Sequence, residues 1–244
     1  MPFSLDKTQE AVINKISVDV NSVLDIGSGD GNLLNTINEQ FPNTTLSACD
    51  YTDSFIKTEN CNFKIVDLNA GHLPFPDNAF DLVTITEVVE HLENYHVIIR
   101  EIYRVLKKNG QIIITTPNIL NMKSRINFLK SGFWTLFGPL PLKTKSLEST
   151  GGHITPIHYF HLAYALSHSN FKNIELSSDK TQKSSLILYI LLYPLILLSK
   201  IQFLRKETHK YKTVDQNNIE VTKAINSFTA LTSRSIVVTA SRLD

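Results

Sequence analysis

The stretch VLDIGSGDGNLL, residues 23–34, constrains the fold more than any other part of the chain. Ser22 to Ile26 is short, β-branched and leucine-rich, which reads as a buried strand. Gly27, Gly29 and Gly31 follow, and Gly31 to Gln40 reads as a helix. The rest of the chain repeats the alternation. Strands are expected at Thr44–Cys49, Asn62–Asp67, Phe80–Thr86 and Gln111–Thr116. A helix is expected over Tyr95–Lys108, with Asn109-Gly110 as its C-cap. A last helix falls at Pro156–Ser169, and two more strands at Phe171–Ser177 and Arg234–Ala240. Strands alternating with helices mean crossover units, hence an α/β fold with a parallel sheet and helices on both faces.

The length of 244 residues suits one sizeable domain, and residues 1–244 are read as such. Two stretches depart from the alternation. Residues 118–154 hold aromatics, prolines and lysines without clean periodicity and are expected to form an acceptor-side loop or lid. Residues 179–232 form an insert between the last two strands, far longer than a usual connection. A formal charge of +1 gives no general affinity for nucleic acid. Cys49 and Cys61 read as small core hydrophobes of a reducing compartment. The segment MPFSLDKTQEAVINKI has no charged-then-apolar export signal and reads as a short amphipathic helix, so a cytoplasmic protein is expected.

The glycine spacing decides between ligands. A dinucleotide fingerprint needs a third glycine where Asn32 stands, for close helix packing. Here the pattern is G-x-G-x-G, with Asp25 ahead of it and an acid, Asp50 and Asp67, closing each of the next two strands. Glycines let backbone approach a bulky ligand. A carboxylate at the second strand tip can accept from both hydroxyls of a ribose, and one at the third from the amine of adenine. Asp25 suits a cationic head where a pyrophosphate would be repelled. An adenosine body with a positive amino-acid end is S-adenosylmethionine.

VLDIGSGDG, Asp50, VDLNAGHLPF, FDLVTITEVVEHL and LKKNGQIIITTPN resemble the successive motifs of class I S-adenosylmethionine-dependent methyltransferases over roughly residues 20 to 120. The resemblance implies a Rossmann-like seven-stranded sheet, mostly parallel, with the last strand antiparallel. It also implies cofactor roles. The loop Gly27, Ser28, Gly29 and Gly31 with Asp25 would bracket the methionine part. Asp50, beside Tyr51, would hold the ribose, and Asp67 with Leu68 would border the adenine; Thr86 closes the fourth strand as a further contact. For each aspartate alone, a solvated strand end or a helix cap is the competing reading.

EVVEHL brings Glu87, Glu90 and His91 to the carboxyl end of the fourth strand, where open α/β sheets bind ligands. On a helix these three would share a face. Three readings stay open. Glu87 caps a helix while His91 packs; or His91 or Glu87 is a general base for an acceptor hydroxyl; or Glu87, Glu90 and His91 hold a divalent metal such as Mg2+. E-x-x-E-H resembles the metal-binding segment of small-RNA 2′-O-methyltransferases and ubiquinone-pathway O-methyltransferases. GGHITPIHYFHLAYAL, from Gly151, resembles the acceptor-pocket segment of this branch, which makes His153 a second candidate base or ligand. His158 and His161 read as ordinary packing or surface histidines.

Residues 186–198, LILYILLYPLILL, are an unbroken apolar run with Pro194 inside it. As a helix it extends about 20 Å against about 30 Å of hydrocarbon, and a crossing would part the last strand from its own sheet. A segment lying on the membrane, a homodimer face through 186–204 and a lid over the acceptor remain. The basic flanks favour anionic headgroups, hence the inner membrane face. The resulting expectation is methylation of a hydroxyl on a small-molecule, glycan or lipid-linked acceptor, as in surface-polysaccharide biosynthesis. The alternatives are a metal-assisted quinone-type O-methyltransferase and a non-catalytic methyltransferase-like binding subunit.

Overall fold

A computed structural model describes residues 6–142 and 152–243. Residues 1–5, part of the expected 118–154 loop and Gly151 lie outside the described residues. Seven strands form one sheet: β1 Ser22–Ile26, β2 Thr45–Asp50, β3 Asn62–Ile65, β4 Phe80–Thr86, β5 Leu106–Pro117, β6 Lys172–Ser178 and β7 Ser235–Ser241. Their order across the sheet is β3-β2-β1-β4-β5-β7-β6. The first five pair in parallel. β7 runs antiparallel to both β5 and β6, so it alone is reversed. The Rossmann-like sheet expected from the motifs is the one formed.

Period-2 alternation explains why both faces are covered. Val23, Leu82, Ile113 and Val237 face α1 (Asp6–Ile13) and α2 (Asn32–Gln40), packing on Val12, Leu34 and Ile37. Their neighbours Leu24, Val83, Ile112 and Val238 face the other way. There they meet Ile98 and Ile102 of α3 (Tyr95–Val105) and Leu162 and Leu166 of α5 (Tyr159–His168).

The structure corrects three expectations. α3 stops at Val105, and Asn109-Gly110 does not cap it. Buried Leu106 turns extended, so β5 begins there, pairing with Phe80. The register then shifts between Phe80 and Leu82, with Asn109 in the left-handed region at φ 63°. Asn-Gly thus serves a strand irregularity rather than a helix end. Next, the stretch after Pro117 contains α4, Met122–Ser131, capped by Asn121 accepting from Ser124 N–H at 2.8 Å and ended by Gly132. Met122, Ile126 and Leu129 keep a helical spacing, but polar residues fill the turns between them and Leu129 is exposed, so little helical period stood out. Finally, residues 186–198 belong to one longer helix, α6 Lys183–Arg205, which runs on through Pro194. After α6, the short helices α7 (Ile219–Ala224) and α8 (Phe228–Thr232) bring the chain back to β7.

Candidate functional site

The strand order reverses between β1 and β4: β2 and β3 extend the sheet one way, β4 and β5 the other. Loops leaving the two central strands diverge there, which opens a crevice at the carboxyl edge. The glycine loop leaves β1 at that point. Gly27 (φ 69°) and Gly31 (φ 80°) are left-handed, and a side chain would strain both. A Cβ at Gly27 would also run into Val88, and one at Gly31 into Thr58. The loop folds over the end of β2, where Gly27 N–H donates to the Cys49 carbonyl at 2.8 Å and Gly29 N–H to Asp50 Oδ2 at 2.9 Å. Asp50 Oδ1 accepts from Tyr51 N–H at 2.7 Å. Burial raises the Asp50 carboxyl, and these two N–H groups pull it back. A carboxylate has about four acceptor sites, so two remain for a diol.

Asp25 is 2 % exposed, and Thr84 Oγ1 on the adjacent strand donates to it at 2.7 Å. Burial above all pushes its pKa up to about 7. Asp67 is exposed, and its carboxylate accepts from Asn69 N–H at 2.9 Å, capping the short turn Leu68–Ala70. This is the helix-cap reading weighed against an adenine contact, and Leu68 is half-buried against the core. Ser28 Oγ and Thr86 Oγ1 flank the glycine loop, buried and without hydrogen-bond partners among the described residues. Such orphans are costly unless a ligand or water completes them. Their presence beside positive-φ glycines and the Asp50 carboxylate fits a polar, nucleoside-like cofactor at this edge.

Beyond β4 the chain departs from helical geometry. Glu87 sits at φ 55°, a strained conformation for a side-chain-bearing residue. Its N–H donates to the Thr115 carbonyl and Oγ1, both at 3.1 Å, and Thr115 Oγ1 donates to Glu87 Oε1 at 3.1 Å. Residues 89–91 then form a single tight turn. Glu90 is fully buried, and Thr116 Oγ1 donates to its Oε2 at 3.0 Å while Oε1 has no partner among the described residues. Adjacent threonines on one strand point to opposite faces, so the two glutamates diverge. Glu87, Glu90 and His91 therefore do not share one helical face. The expected metal set is regrouped: ligand atoms of Glu90, His91 and His153 lie within 4.8 Å of one another, and Glu87 is not among them.

A backbone staple brings His153 there. Ile154 and Thr155 N–H both donate to the Glu90 carbonyl at 3.0 Å, and Thr155 Oγ1 donates to that of Leu92. His91 Nδ1 donates to the Gly152 carbonyl at 3.0 Å. That bond fixes the tautomer and leaves Nε2 with its lone pair. The two imidazoles meet edge to face at 4.8 Å, and Phe137 closes on His153 at 5.1 Å. Burial lowers both histidines' pKa. Burial, with the Glu87 charge, holds Glu90 well above the usual carboxylate range, which favours its neutral form. Glu87 is pushed up to about 7, chiefly by burial, against the pull of Thr115 and of the Arg234 charge.

Some residues of this edge carried little signal in sequence. Asp179 follows β6 and Arg234 precedes β7; they stand 3.9 Å apart, the Asp179 side chain fully buried. Nothing in their local pattern singles them out. Thr84, Thr115 and Thr116 were legible as hydroxyls inside otherwise apolar strands. His158 accepts from Phe160 N–H at 3.1 Å as the N-cap of α5, and His161 is exposed.

Residues 24–114 match the family described as methyltransferase domain. The demethylmenaquinone methyltransferase of Listeria welshimeri is 34 % identical over 119 residues, covering 43 % of this chain and 50 % of that protein. Its namesake from a Geobacillus species is 33 % identical over 86 residues, 34 % of this chain and 37 % of that one. The chain thus spans about half the length, or less, of these curated relatives. Among solved structures, a SAM-dependent methyltransferase from Archaeoglobus fulgidus superposes with a TM-score of 0.59 at 17 % identity, over 96 % of this chain and 92 % of that one. Phosphoethanolamine N-methyltransferase 2 of Haemonchus contortus, in complex with S-adenosyl-L-methionine, gives 0.56 at 15 % identity over 97 % and 52 %. At such identities the likeness is one of fold.

Proposed function

We propose that this chain, which carries a class I S-adenosylmethionine-dependent methyltransferase domain, transfers a methyl group to a hydroxyl of a glycan or lipid-linked acceptor at the inner membrane face. The observation that carries the chemistry is the His91 imidazole, neutral by burial and tautomerically fixed by Gly152, beside an edge of unsatisfied polar atoms. When bound, S-adenosylmethionine supplies an electrophilic methyl on a sulfonium. Gly27, Ser28, Gly29 and Gly31 would cradle its amino-acid end with Asp25 and Thr86 behind them. Asp50, next to Tyr51, would accept from the ribose, and Asp67 with Leu68 would border the base. On the acceptor side His91 Nε2 would take the hydroxyl proton as the oxygen–carbon bond forms and the carbon–sulfur bond breaks, with S-adenosylhomocysteine as the leaving group. His153 and Phe137 orient the acceptor, and alignment supplies much of the rate. Glu87, tied to Thr115, holds the strained turn that aims His91.

The test is methyl transfer from radiolabelled S-adenosylmethionine to a panel of hydroxylated glycans and polyprenyl-linked saccharides, beside calorimetric titration with S-adenosylhomocysteine. Binding with label in a hydroxyl-bearing acceptor is expected. No binding heat would leave only a methyltransferase-like binding subunit.

A second reading is favoured by one observation, the approach of Glu90, His91 and His153 to a common point. One carboxylate and two imidazoles suit a divalent metal, as in a metal-assisted quinone-type O-methyltransferase. The name shared by the curated relatives supports a quinone acceptor in that case. Glu90 must lose a proton to ligate, so binding would release protons and strengthen as pH rises. Turnover that vanishes on chelation and returns with Mg2+ selects this reading; turnover indifferent to chelation rejects it.

A further inference from the structure

Away from the cofactor edge, the least satisfied surface of the molecule is α6. Among the described residues it is the helix long and apolar enough to cross a membrane, and none of its apolar window is buried. Ile190 is 63 % exposed, Leu191 71 %, Leu195 62 % and Leu198 60 %. Its apolar residues do not keep to one face, and an all-round apolar helix normally lies inside a protein or in hydrocarbon. Among the described residues nothing buries its apolar run, and only its start is tied down: Ser185 is buried, bonding Asn121 Oδ1 at 3.1 Å, and Tyr189 meets Phe228 edge to face at 5.5 Å.

A span is excluded by topology. β6 precedes α6, β7 follows it, and the two strands are hydrogen-bonded to each other. Both ends of the insert therefore return to the same side. Charge marks what covers the helix. Lys180 and Lys183 precede its apolar run, and Lys200, Arg205, Lys206, Lys210 and Lys212 follow; between 180 and 212 the one carboxylate is Glu207. A helix apolar all round suits surrounding acyl chains, and the cations at its two ends suit anionic headgroups.

The apolar surface does not stop at α6. α4 packs against it, with Lys123 N–H donating to Ser185 Oγ at 3.2 Å. From α4 the exposed side chains Phe128, Leu129, Phe133, Leu136, Leu140 and Leu142 carry on. That segment reaches the candidate site, because Phe137 contacts His153.

We propose that α6 lies in the plane of an anionic bilayer, sunk among the acyl chains. The face formed by α4 and residues 132–142 rests beside it and opens the histidine pair toward the lipid. The docking does not need the proposed methyl transfer, and vesicles alone can probe it. Purified full-length protein is floated with phosphatidylcholine vesicles and with vesicles that also contain phosphatidylglycerol. Flotation with the anionic vesicles is expected. Each of Lys206→Gln, Lys210→Gln and Lys212→Gln should weaken it roughly fivefold. The triple variant Leu191→Asp, Leu195→Asp, Leu198→Asp should abolish it while keeping the circular dichroism and cooperative melt of the parent, since all three side chains are exposed. Parent protein left at the bottom of the gradient with anionic vesicles overturns the proposal. So does a parent that sediments as a dimer and becomes monomeric in the aspartate variant, for then a second copy covers the helix. A protein that floats but methylates no lipid-linked acceptor keeps the surface and removes only the acceptor assignment.

Discussion

Glu87 shows how one residue can be costly where it sits and still be kept. Its backbone is left-handed and its carboxyl is raised from 4.5 to about 7. The folded state therefore binds its proton more tightly than the unfolded chain does. Stability from this group is fully present below pH 4.5 and is lost as pH climbs toward 7, on the order of 3 kcal/mol in all. Glu87→Gln keeps the acceptor for Thr115 and removes the buried charge, so its melting temperature should exceed the parent's at pH 8 and match it near pH 4.5. Equal melting at both would mean the carboxylate is solvated. His91 has the opposite shift, lowered from 6.5. A base must be neutral to accept a proton, so the acid limb of kcat/KM is expected below pH 6.5. His91→Asn should cut kcat by about 10²–10⁴ and flatten that limb, whereas a merely packing histidine would leave the limb where it was. On the cofactor side, Asp50→Ala removes the acceptor of two N–H groups and of the proposed diol. S-adenosylhomocysteine should bind roughly 10–100-fold more weakly, at 1.5–3 kcal/mol for hydrogen bonds to a charged group. Unaltered affinity in calorimetry would mean the ribose lies elsewhere.

At the scale of elements the turn at 89–91 and the segment 152–155 act as one unit. The Glu90 carbonyl takes two N–H bonds, and the His91 ring returns one to Gly152. Replacing Thr155 by alanine deletes the bond to the Leu92 carbonyl. It should cost about 1 kcal/mol of stability but a larger share of kcat than of KM, because His153 loses its seat beside His91. This pairing was hard to read from sequence. Glu90 and His153 are far apart along the chain, and the staple is made by backbone, which has no residue signature. The same limit hid the parting of Glu87 from Glu90. A helical EVVEHL would put both on one face, and one left-handed residue, Glu87, breaks that period. Where side-chain chemistry itself set the element, the sequence was more informative. The glycine triplet forced the β1–α2 turn, and Phe80–Thr86 has the bounds its apolar run implied.

For the whole molecule, legibility followed burial. Strands that pack on both faces are apolar at most positions, with few polar exceptions such as Asp25 and Thr84, and their order along the chain pointed to the α/β sheet before any contact was known. α4 left no trace because its side chains serve a neighbouring helix and open surface as much as the core. The reversed strand was legible only through the likeness of its neighbours to a family, since no local pattern distinguishes an antiparallel strand buried on both faces from a parallel one. Its reversal has a consequence for how the domain can be altered. Because β6 and β7 are hydrogen-bonded partners, the chain between them begins and ends at one corner of the sheet, outside every crossover. Closure entropy grows only as the logarithm of loop length, so material at that corner is nearly free to lengthen, shorten or be exchanged. Replacing residues 188–210 by a flexible glycine-serine connector should leave a cooperatively melting, cofactor-binding core. If α6 docks as proposed, trading this single excursion would deliver the same sheet to a different surface.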